Sequence, residues 1–314
     1  MKRLRIGTRG SALALWQANH VRERLEQLHG IEAELVRIRT AGDRFQSVSV
    51  SQIGAEAGAK GVFIKEIEDA LLAASVDLAV HSMKDVPTEI PRGLVFPAIT
   101  KREDARDCLI SRKGQSFESL PPGARIGTSS LRRQAQLRHG RPDLDVADLR
   151  GNVDTRLAKL VTGEFDAIVL AVAGVSRLGA SDKIAQILPA EIMLPAVGQG
   201  ALGIETRADD QSTSKLVAAL DDPETRVCVT AERALLRELE GGCQVPLGAW
   251  ARLANGEIHL EACVLSPDGK ECLRSDARGL AANAGQIGRQ LGQALISKGA
   301  DKILRLVGRS VGQN

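Results

Sequence analysis

The sequence predicts an α/β protein with two similar lobes, joined by a hinge and followed by a small α+β domain. The tetrapeptide RIGT at residues 5–8 recurs at residues 125–128, and each copy precedes a serine-containing turn and a helical pattern. Two apolar runs that each follow an aspartate, VDLAV at 76–80 and FDAIVL at 165–170, are typical of buried strands in an α/β sheet. These echoes indicate corresponding parts of two lobes.

The first lobe begins with a strand, a Gly/Ser turn and an amphipathic helix in the segment LRIGTRGSALALWQANHVRERLEQL. The helix offers five apolar side chains for packing: Leu13, Trp16, Ala18, Val21 and Leu25. Two segments indicate crossings between the lobes, because FPAITKREDARD combines a proline with a dense charge run and LPAVGQGALGIE is rich in glycine and proline. We therefore expect residues 1–100 and 201–218 to form lobe 1 and residues 101–200 to form lobe 2, with a cleft at the hinge.

The pattern changes after the second crossing. A helix, a loop with glycines and a cysteine, and several strands follow, with ANGE and SPDGK as turns between hairpin partners. The segment AGQIGRQLGQALISKG predicts a final amphipathic helix. Residues 219–314 are therefore expected to form a separate small α+β domain.

Composition argues against several classes of protein. The 314 residues carry a formal net charge of only +3, with 2% aromatic residues and no tyrosine, so we expect no nucleic-acid partner. Arg5 and Arg9 interrupt the start MKRLRIGTRGSALALWQ, which fits neither a signal peptide nor a membrane span, and we expect a cytoplasmic protein. The five cysteines lack a C-x-x-C pair and the five histidines lack H-E-x-x-H spacing, so neither a disulfide framework nor a metal site is expected.

Polar clusters follow the predicted strands, where ligands of α/β sheets collect. They comprise GTRGS with Arg9 and Ser11, VHSMKDVP with Lys84 and Asp85, GTSSLRR with Arg132 and Arg133, DLRGNVDTRL with Arg150 and Arg156, and Arg177 in GVSRLG. If they converge, so many fixed cations repel one another unless a polyanion binds among them. Arg132 and Arg133 also stand at a helix start, where the local field disfavours cations, and the alternative is that both side chains reach out to water.

Asp85 and Cys243 allow two interpretations each. Asp85 pairs with Lys84 or caps the turn before Pro87, or it stays ionised among cations and stabilises a transient positive charge. Cys243, in LEGGCQVPLG, is either a small buried hydrophobe or a sulfur that a flexible loop presents to a cleft. No histidine lies near it in the sequence, which argues against a cysteine hydrolase.

The segment VSVSQIGAEAGAKG at residues 48–61 lacks the phosphate-loop spacing, so no nucleotide site is expected. It predicts either a mobile loop that covers a cleft or a plain surface loop.

Six motifs together resemble the porphobilinogen deaminase (hydroxymethylbilane synthase) family along essentially the whole chain. They are GTRGSALALWQ, VHSMKDVP, GTSSLRRQAQL, LRGNVDTRL, LPAVGQGALGIE and LEGGCQVPLG, in the family's order. The resemblance implies two lobes like those of periplasmic binding proteins and a third domain that bears the cofactor cysteine. It also implies a transferase of haem-type tetrapyrrole biosynthesis, which condenses four porphobilinogen molecules head to tail, with loss of ammonia, and releases hydroxymethylbilane by hydrolysis.

The same resemblance implies a role for each site residue. A dipyrromethane cofactor is joined by a thioether to Cys243, and Asp85 is the catalytic carboxylate. Contacts to the cofactor are implied for Lys84, Ser130, Arg132, Arg133, Arg156 and Arg177, and contacts to the substrate for Arg9, Ser11, Arg150 and Arg156. The resemblance also implies that Lys60 lies on a lid. Ala41, Glu56 and Ala59 depart from the family pattern around Lys60, and Ala12 departs from it after Ser11. A monomer is expected.

Two other functions compete with this one. A two-lobed binding protein for a small anion explains the hinge and the arginines but gives Cys243 no role. An anion-sensing regulator is disfavoured because the sequence shows no recognisable helix-turn-helix.

Overall fold

The structure is a computed structural model that describes residues 3–40, 64–239 and 245–310. The chain divides into two compact units, one of residues 1–103 and 201–226 and the other of residues 104–200 and 227–314. The chain thus passes from the first unit to the second after residue 103 and returns after residue 200. The division into three domains stays a prediction, because residues 104–200 and 227–314 fall in one unit.

The first unit is built on a five-stranded sheet in the order β2-β1-β3-β10-β4. Its strands are β1 (Leu4–Thr8), β2 (Ala33–Arg37), β3 (Leu78–Ser82), β4 (Leu94–Ile99) and β10 (Leu202–Arg207). β1 runs parallel to β2 and β3, whereas β10 runs antiparallel to β3 and β4. The helices are α1 (Ala12–His29), α2 (Lys65–Leu72) and α6 (Gln211–Ala218), and a short 3-10 helix spans Met83–Asp85.

Helix α1 follows the sequence signals closely. The Ser11 hydroxyl accepts a hydrogen bond from the backbone N–H of Ala14 at 3.3 Å, and Gly30 ends the helix with a φ of 61°. Three of the five side chains expected to pack are fully buried: Ala18, Val21 and Leu25. The other two, Leu13 and Trp16, are half-buried.

The second unit contains a matching five-stranded sheet in the order β7-β6-β8-β5-β9. Its strands are β5 (Asp107–Ser111), β6 (Arg125–Gly127), β7 (Asp145–Ala147), β8 (Ala167–Ala171) and β9 (Gln186–Ile187). The helices are α3 (Leu131–Gly140), α4 (Val153–Val161) and α5 (Val172–Arg177), with a 3-10 turn at Ser181–Lys183. β6 is parallel to β7 and β8, and β5 is antiparallel to β8.

Hydrogen bonds confirm that the two RIGT segments are corresponding parts. The N–H of Arg5 donates to Asp77 Oδ2 at 2.9 Å, and the N–H of Arg125 donates to Asp166 Oδ2 at 2.9 Å. In return the N–H groups of Asp77 and Asp166 donate to the carbonyls of Arg5 and Arg125. The aspartate before each central strand thus closes the same pair of bonds with the first strand of its lobe.

The rest of the second unit is an α+β structure, as predicted. Helix α7 (Pro223–Glu238), which enters the second unit after residue 226, precedes an antiparallel sheet of β11 (Leu247–Ala254), β12 (Glu257–Leu265) and β13 (Cys272–Leu280). A 3-10 turn (Ala281–Asn283) and the helices α8 (Ala284–Ser297) and α9 (Ala300–Ser310) follow. The predicted ANGE hairpin turn is confirmed, since Asn255 and Gly256 both have positive φ, at 52° and 77°.

One crossing segment differs from the prediction. FPAITKREDARD is not a linker throughout, because its first residues end β4 and Asp107 begins β5. Pro97 is tolerated there since β4 is an edge strand of its sheet. None of the helices in the described part of the chain combines the length and apolar character needed to cross a bilayer.

Candidate functional site

Four of the predicted site residues lie at one edge of the first sheet. Arg9 and Ser11 follow β1, and Lys84 and Asp85 lie on the 3-10 turn after β3. Because β1 and β3 are parallel neighbours, both strands end at the same edge. Asp85 is exposed, and the other three residues are half-buried.

A backbone hydrogen bond and a buried side chain hold the turn that carries Asp85 in place. The N–H of Met83 donates to the carbonyl of Ala201 at 3.0 Å, and the Met83 side chain is buried. It packs against Gly203, where a Cβ atom would lie only 2.3 Å from Met83 Sδ, so this close approach requires glycine. The sequence thus fixes the backbone of the turn and leaves the Asp85 carboxylate at the surface.

The remaining described site residues lie at the corresponding edge of the second sheet. Ser130 precedes α3, which starts with Arg132 and Arg133 in its first turn, after β6. Arg150 follows β7, and Arg177 ends α5, the helix after β8. β6 runs parallel to both β7 and β8, so all three strands end at the same edge.

Arg132 and Arg133 do not reach out to water. They are 4% and 6% exposed, and both bind the fully buried carboxylate of Asp107 at the start of β5. Arg132 Nη1 lies 2.6 Å from Oδ2, and Arg133 Nη2 lies 2.7 Å from Oδ1. Arg132 Nη1 also donates to the carbonyl of Leu194 at 2.7 Å, and Arg133 Nη1 to that of Val169 at 3.0 Å. The alternative of water-exposed side chains is therefore wrong.

Asp107 is a residue that the sequence analysis missed. It belongs to the charge-rich segment assigned to a crossing, and only the antiparallel pairing of β5 with β8 brings it opposite Ala171, at the end of β8. The side-chain amide of Gln199 also donates to it, at 2.9 Å. Gln199 comes from the LPAVGQGALGIE motif, so Asp107 connects two of the motifs that carry the family resemblance.

Two guanidinium groups share this single carboxylate, so the three side chains together carry a net positive charge. Burial alone raises the pKa of Asp107, but attraction and hydrogen bonds from Arg132 and Arg133 outweigh it and hold the pKa well below its usual range. One positive charge is left for a ligand to neutralise.

Arg156, on α4, has no carboxylate partner among the described residues. Its Nε donates to the carbonyl of Gly151 at 2.8 Å. Burial, and after it repulsion by Arg133, lower the pKa of Arg156 to about 10. An anionic group beside Arg156 would remove this electrostatic cost.

Arg177 and Arg150 complete this edge. Arg177 is buried, and its Nη2 donates to the carbonyl of Gly200 at 2.7 Å. Arg150 is half-buried, with Nη2 at 3.7 Å from Asp148 Oδ2.

Two predicted site residues, Cys243 and Lys60, lie outside the described residues, as do Ala41, Glu56 and Ala59. Among the described cysteines, Cys108, Cys228 and Cys263 are buried and Cys272 is half-buried. Within the described ranges, no group of three or more His, Cys, Asp or Glu side chains is arranged to hold a metal ion.

Comparison with known proteins gives consistent matches. Residues 4–215 match the family model "Porphobilinogen deaminase, dipyromethane cofactor binding domain", and residues 226–297 match "Porphobilinogen deaminase, C-terminal domain". The chain is 51% identical over 308 residues to a porphobilinogen deaminase of Syntrophobacter fumaroxidans, covering 98% of each chain. It is 52% identical over 302 residues to one of Syntrophotalea carbinolica, covering 96% of this chain and 95% of the other.

The comparison with solved structures gives matches at lower identity. The methionine binding protein MetQ matches with a TM-score of 0.45 and 14% identity, covering 69% of this chain and 89% of that one. A periplasmic substrate-binding protein of an ABC transporter from Coxiella burnetii matches with a TM-score of 0.43 and 14% identity, covering 73% of this chain and 96% of that one.

Proposed function

The chain belongs to the porphobilinogen deaminase family, and we propose that its two sheet edges bind the pyrrole carboxylates and the reacting pyrrole of that family's reaction. It is a transferase of tetrapyrrole biosynthesis that uses a dipyrromethane cofactor. It condenses four porphobilinogen molecules head to tail, with loss of ammonia, and releases hydroxymethylbilane by hydrolysis.

The observation that carries the proposal is the excess positive charge at the edge of the second sheet. Arg133 and Arg156 repel each other there, and Arg156 has no carboxylate partner among the described residues. Each pyrrole ring of the cofactor and of the substrate bears an acetate and a propionate, so these residues fit a chain of pyrroles as carboxylate partners. When bound, the dipyrromethane supplies a nucleophilic pyrrole carbon to which porphobilinogen is added.

Arg132 and Arg133 act in this proposal as cations that Asp107 has already oriented. A guanidinium has five N–H donors, and the bonds to Asp107 and to the two carbonyls leave at least two donors on each side chain. Side chains fixed by a buried carboxylate lose little conformational entropy when a ligand binds. Ser130, Arg177 and Lys84 are further proposed cofactor contacts.

Asp85 is the proposed catalytic carboxylate. Loss of ammonia from porphobilinogen leaves an electron-poor ring whose positive charge is shared with the pyrrole nitrogen, and an ionised carboxylate beside that nitrogen stabilises it. The anchored turn supports this role because it presents the carboxylate at the sheet edge where ligands of α/β sheets bind.

Arg9 and Ser11 share the edge of Asp85 and are the proposed contacts for the carboxylates of the incoming substrate. The Ser11 hydroxyl accepts one bond from Ala14, and its own proton remains free to donate. Arg150 and Arg156 are proposed to bind substrate carboxylates as the chain of rings grows. Lys60 is proposed to act from a lid, and the protein to work as a cytoplasmic monomer.

The mass of the purified protein tests the proposed attachment to Cys243 through a thioether. Incubation with porphobilinogen should add the mass of a dipyrromethane, and Cys243→Ser should abolish this increment. Cys272→Ser is the matched control, because Cys272 is a half-buried free thiol and should leave the adduct unchanged. An adduct that persists in Cys243→Ser would place the attachment elsewhere.

A second variant tests the cationic edge itself. Arg156→Met should reduce cofactor acquisition and elongation by about tenfold or more, because a charge-assisted contact is lost. Lys159→Met is the control on the same helix, since the Lys159 side chain is 36% exposed and lies 3.7 Å from Glu164. Equal behaviour of the two variants would contradict the proposal.

A further inference from the structure

Besides Asp77, which pairs with Arg5, the described part of the first unit buries three ionisable side chains that the proposed reaction does not use. His81 of β3 is 5% exposed, Glu205 of β10 is fully buried and Glu68 of α2 is 9% exposed. His81 Nε2 lies 3.0 Å from Glu205 Oε2. We call these three residues the acid–imidazole cluster.

The acid–imidazole cluster has one imidazole for two carboxylates. Helix α2 packs on β1, β3, β4 and β10, so charged residues of these strands are the other candidates for partners. Arg5 of β1 binds Asp77 at 2.9 Å, and Arg207 of β10 lies 3.0 Å from Asp210. β4 contains no charged residue.

The helix itself supplies no compensating cation towards the cluster. Lys65, its basic residue, is exposed, and Asp69 adds a further negative charge. Within the described chain, the buried Glu205 Oε1 accepts no hydrogen bond. Burial, and after it repulsion by Glu205, raise the pKa of Glu68 to about 7, and attraction to His81 only partly opposes this. One carboxylate of the cluster therefore remains protonated below neutrality.

Continuous packing connects the cluster to the turn that carries Asp85. The ring of His81 meets the ring of Phe96 edge to face, with centroids 6.0 Å apart. Phe96 and Met83 both press on Gly203, where a Cβ atom would lie 2.9 Å from the Phe96 ring and 2.3 Å from Met83 Sδ. Met83 begins the turn, so a shift of His81 reaches the turn through its contacts with Phe96 and Gly203.

We propose that the acid–imidazole cluster positions the catalytic turn, and that it does so when Glu68 is protonated. Glu68 and His81 are thus positioning residues, which act on the reaction through Asp85, and the proposal rests on the function proposed for Asp85. When the Glu68 proton leaves to solvent, two carboxylates share a single imidazole in the buried part of the unit. Movement of α2 or β3 relieves this electrostatic cost, and either movement disturbs the packing beneath the turn.

The test compares turnover of the cofactor-loaded enzyme and its Glu68→Gln variant from about pH 6 to about pH 8.5. Glutamine imitates the protonated acid, so the kcat ratio of variant to wild type should be near one at the acid end and rise about threefold or more at the alkaline end. Ionisations that do not interact with Glu68 cancel in this ratio, and KM for porphobilinogen should not change.

Glu23→Gln is the matched control, because it makes the same change at an exposed position of α1 in the same unit, and Glu23 is not among the groups that shift the pKa of Glu68. Its kcat ratio should stay flat. A flat ratio for Glu68→Gln would overturn the proposal, and so would a pH-dependent change in thermal stability without a change in kcat, since that pattern marks a purely structural cluster. Asp85→Asn distinguishes failure of the function proposed for Asp85 from failure of the role proposed for the cluster. Normal turnover of Asp85→Asn would contradict the catalytic role of Asp85, whereas the pH dependence of the stability of Glu68→Gln would still show whether Glu68 titrates in the cluster.

Discussion

In the first sheet the antiparallel strand β10 carries Glu205 into the core beside His81, whereas in the second sheet the antiparallel strand β5 carries Asp107 into the core between two arginines. β10 pairs with β3, which follows Asp77, and β5 pairs with β8, which follows Asp166. These two aspartates make equivalent hydrogen bonds in the two lobes. The fold thus buries a carboxylate on the same kind of strand twice.

The partners of these carboxylates give opposite electrostatic results. Two permanent cations at Asp107 hold its pKa far below the usual range, so the second lobe keeps a fixed ion cluster at every physiological pH. A single imidazole shared with a second acid leaves Glu68 with a pKa of about 7, so the first lobe has a charge that changes near neutrality. A repeated scaffold can therefore carry a constant field in one lobe and a titrating one in the other.

Removing the carboxylate of Asp107 should have the largest effect. Asp107→Asn leaves two buried guanidinium groups with no counter-charge from this position, and we expect a loss of about 3–5 kcal/mol in the opening free energy of the second unit. Hydrogen exchange of amides in β6 and β8 measures that quantity for this unit. Asp104→Asn is the control, because its ion pair with Arg106 is partly exposed, with side chains 28% and 38% accessible, and should cost at most about 1 kcal/mol.

The sign of the pH dependence sharpens this prediction. The folded pKa of Asp107 lies below its unfolded value, so its stabilisation is fully present above the unfolded pKa and is lost as the pH falls towards the folded pKa. Wild type should therefore lose stability in acid more steeply than Asp107→Asn. Parallel acid limbs for the two proteins would show that the arginines do not depend on this carboxylate.

An intermediate effect is expected at the glycines of the two RIGT segments. A Cβ atom on Gly127 would lie 2.9 Å from both Leu149 Cδ2 and Phe165 Cδ1, whereas one on Gly7 would lie 3.2 Å from Val76 Cγ2. Gly127→Ala should cost about 1–3 kcal/mol, and Gly7→Ala less than about 1 kcal/mol, because the neighbours of Gly7 need to move only slightly. Hydrogen exchange of β6 and β1 amides gives the two values, and equal costs would mean that the lobes are packed alike.

Local signals explain what the sequence predicted correctly. Ser11 and Gly30 bound α1, the ANGE turn has the two positive φ values of its hairpin, and both RIGT strands begin a parallel pair. The polar clusters were placed after strands for the same reason, since turn chemistry and apolar runs are written in neighbouring residues.

Long-range pairing explains what the sequence did not predict. Asp107 follows a run of charges that is typical of a linker, and its burial depends on β5 joining β8, more than fifty residues later in the chain. His81, Glu68 and Glu205 come from three separate elements, and only the packing of α2 on the sheet brings them together. Helical or strand periodicity carries no signal for a polar group that is buried by such a contact.

The smallest effect, and the one specific to the titrating lobe, is expected for the stability of Glu68→Gln. The folded pKa of Glu68 lies above its unfolded value, so the folded state binds more protons between the ordinary pKa of 4.5 and about 7, and wild-type stability falls as the pH rises through that window. Glutamine removes this dependence. The variant should match wild type near pH 5 and be more stable near pH 8 by on the order of 1 kcal/mol, measured from thermal midpoints at the two pH values. Glu23→Gln should show no such divergence, because the Glu23 side chain lies in solvent on α1 and does not contribute to the pKa shift of Glu68. If Glu68→Gln differed from wild type by the same amount at both pH values, Glu68 would not titrate in the folded protein, and the contrast between the two lobes would reduce to a difference in packing.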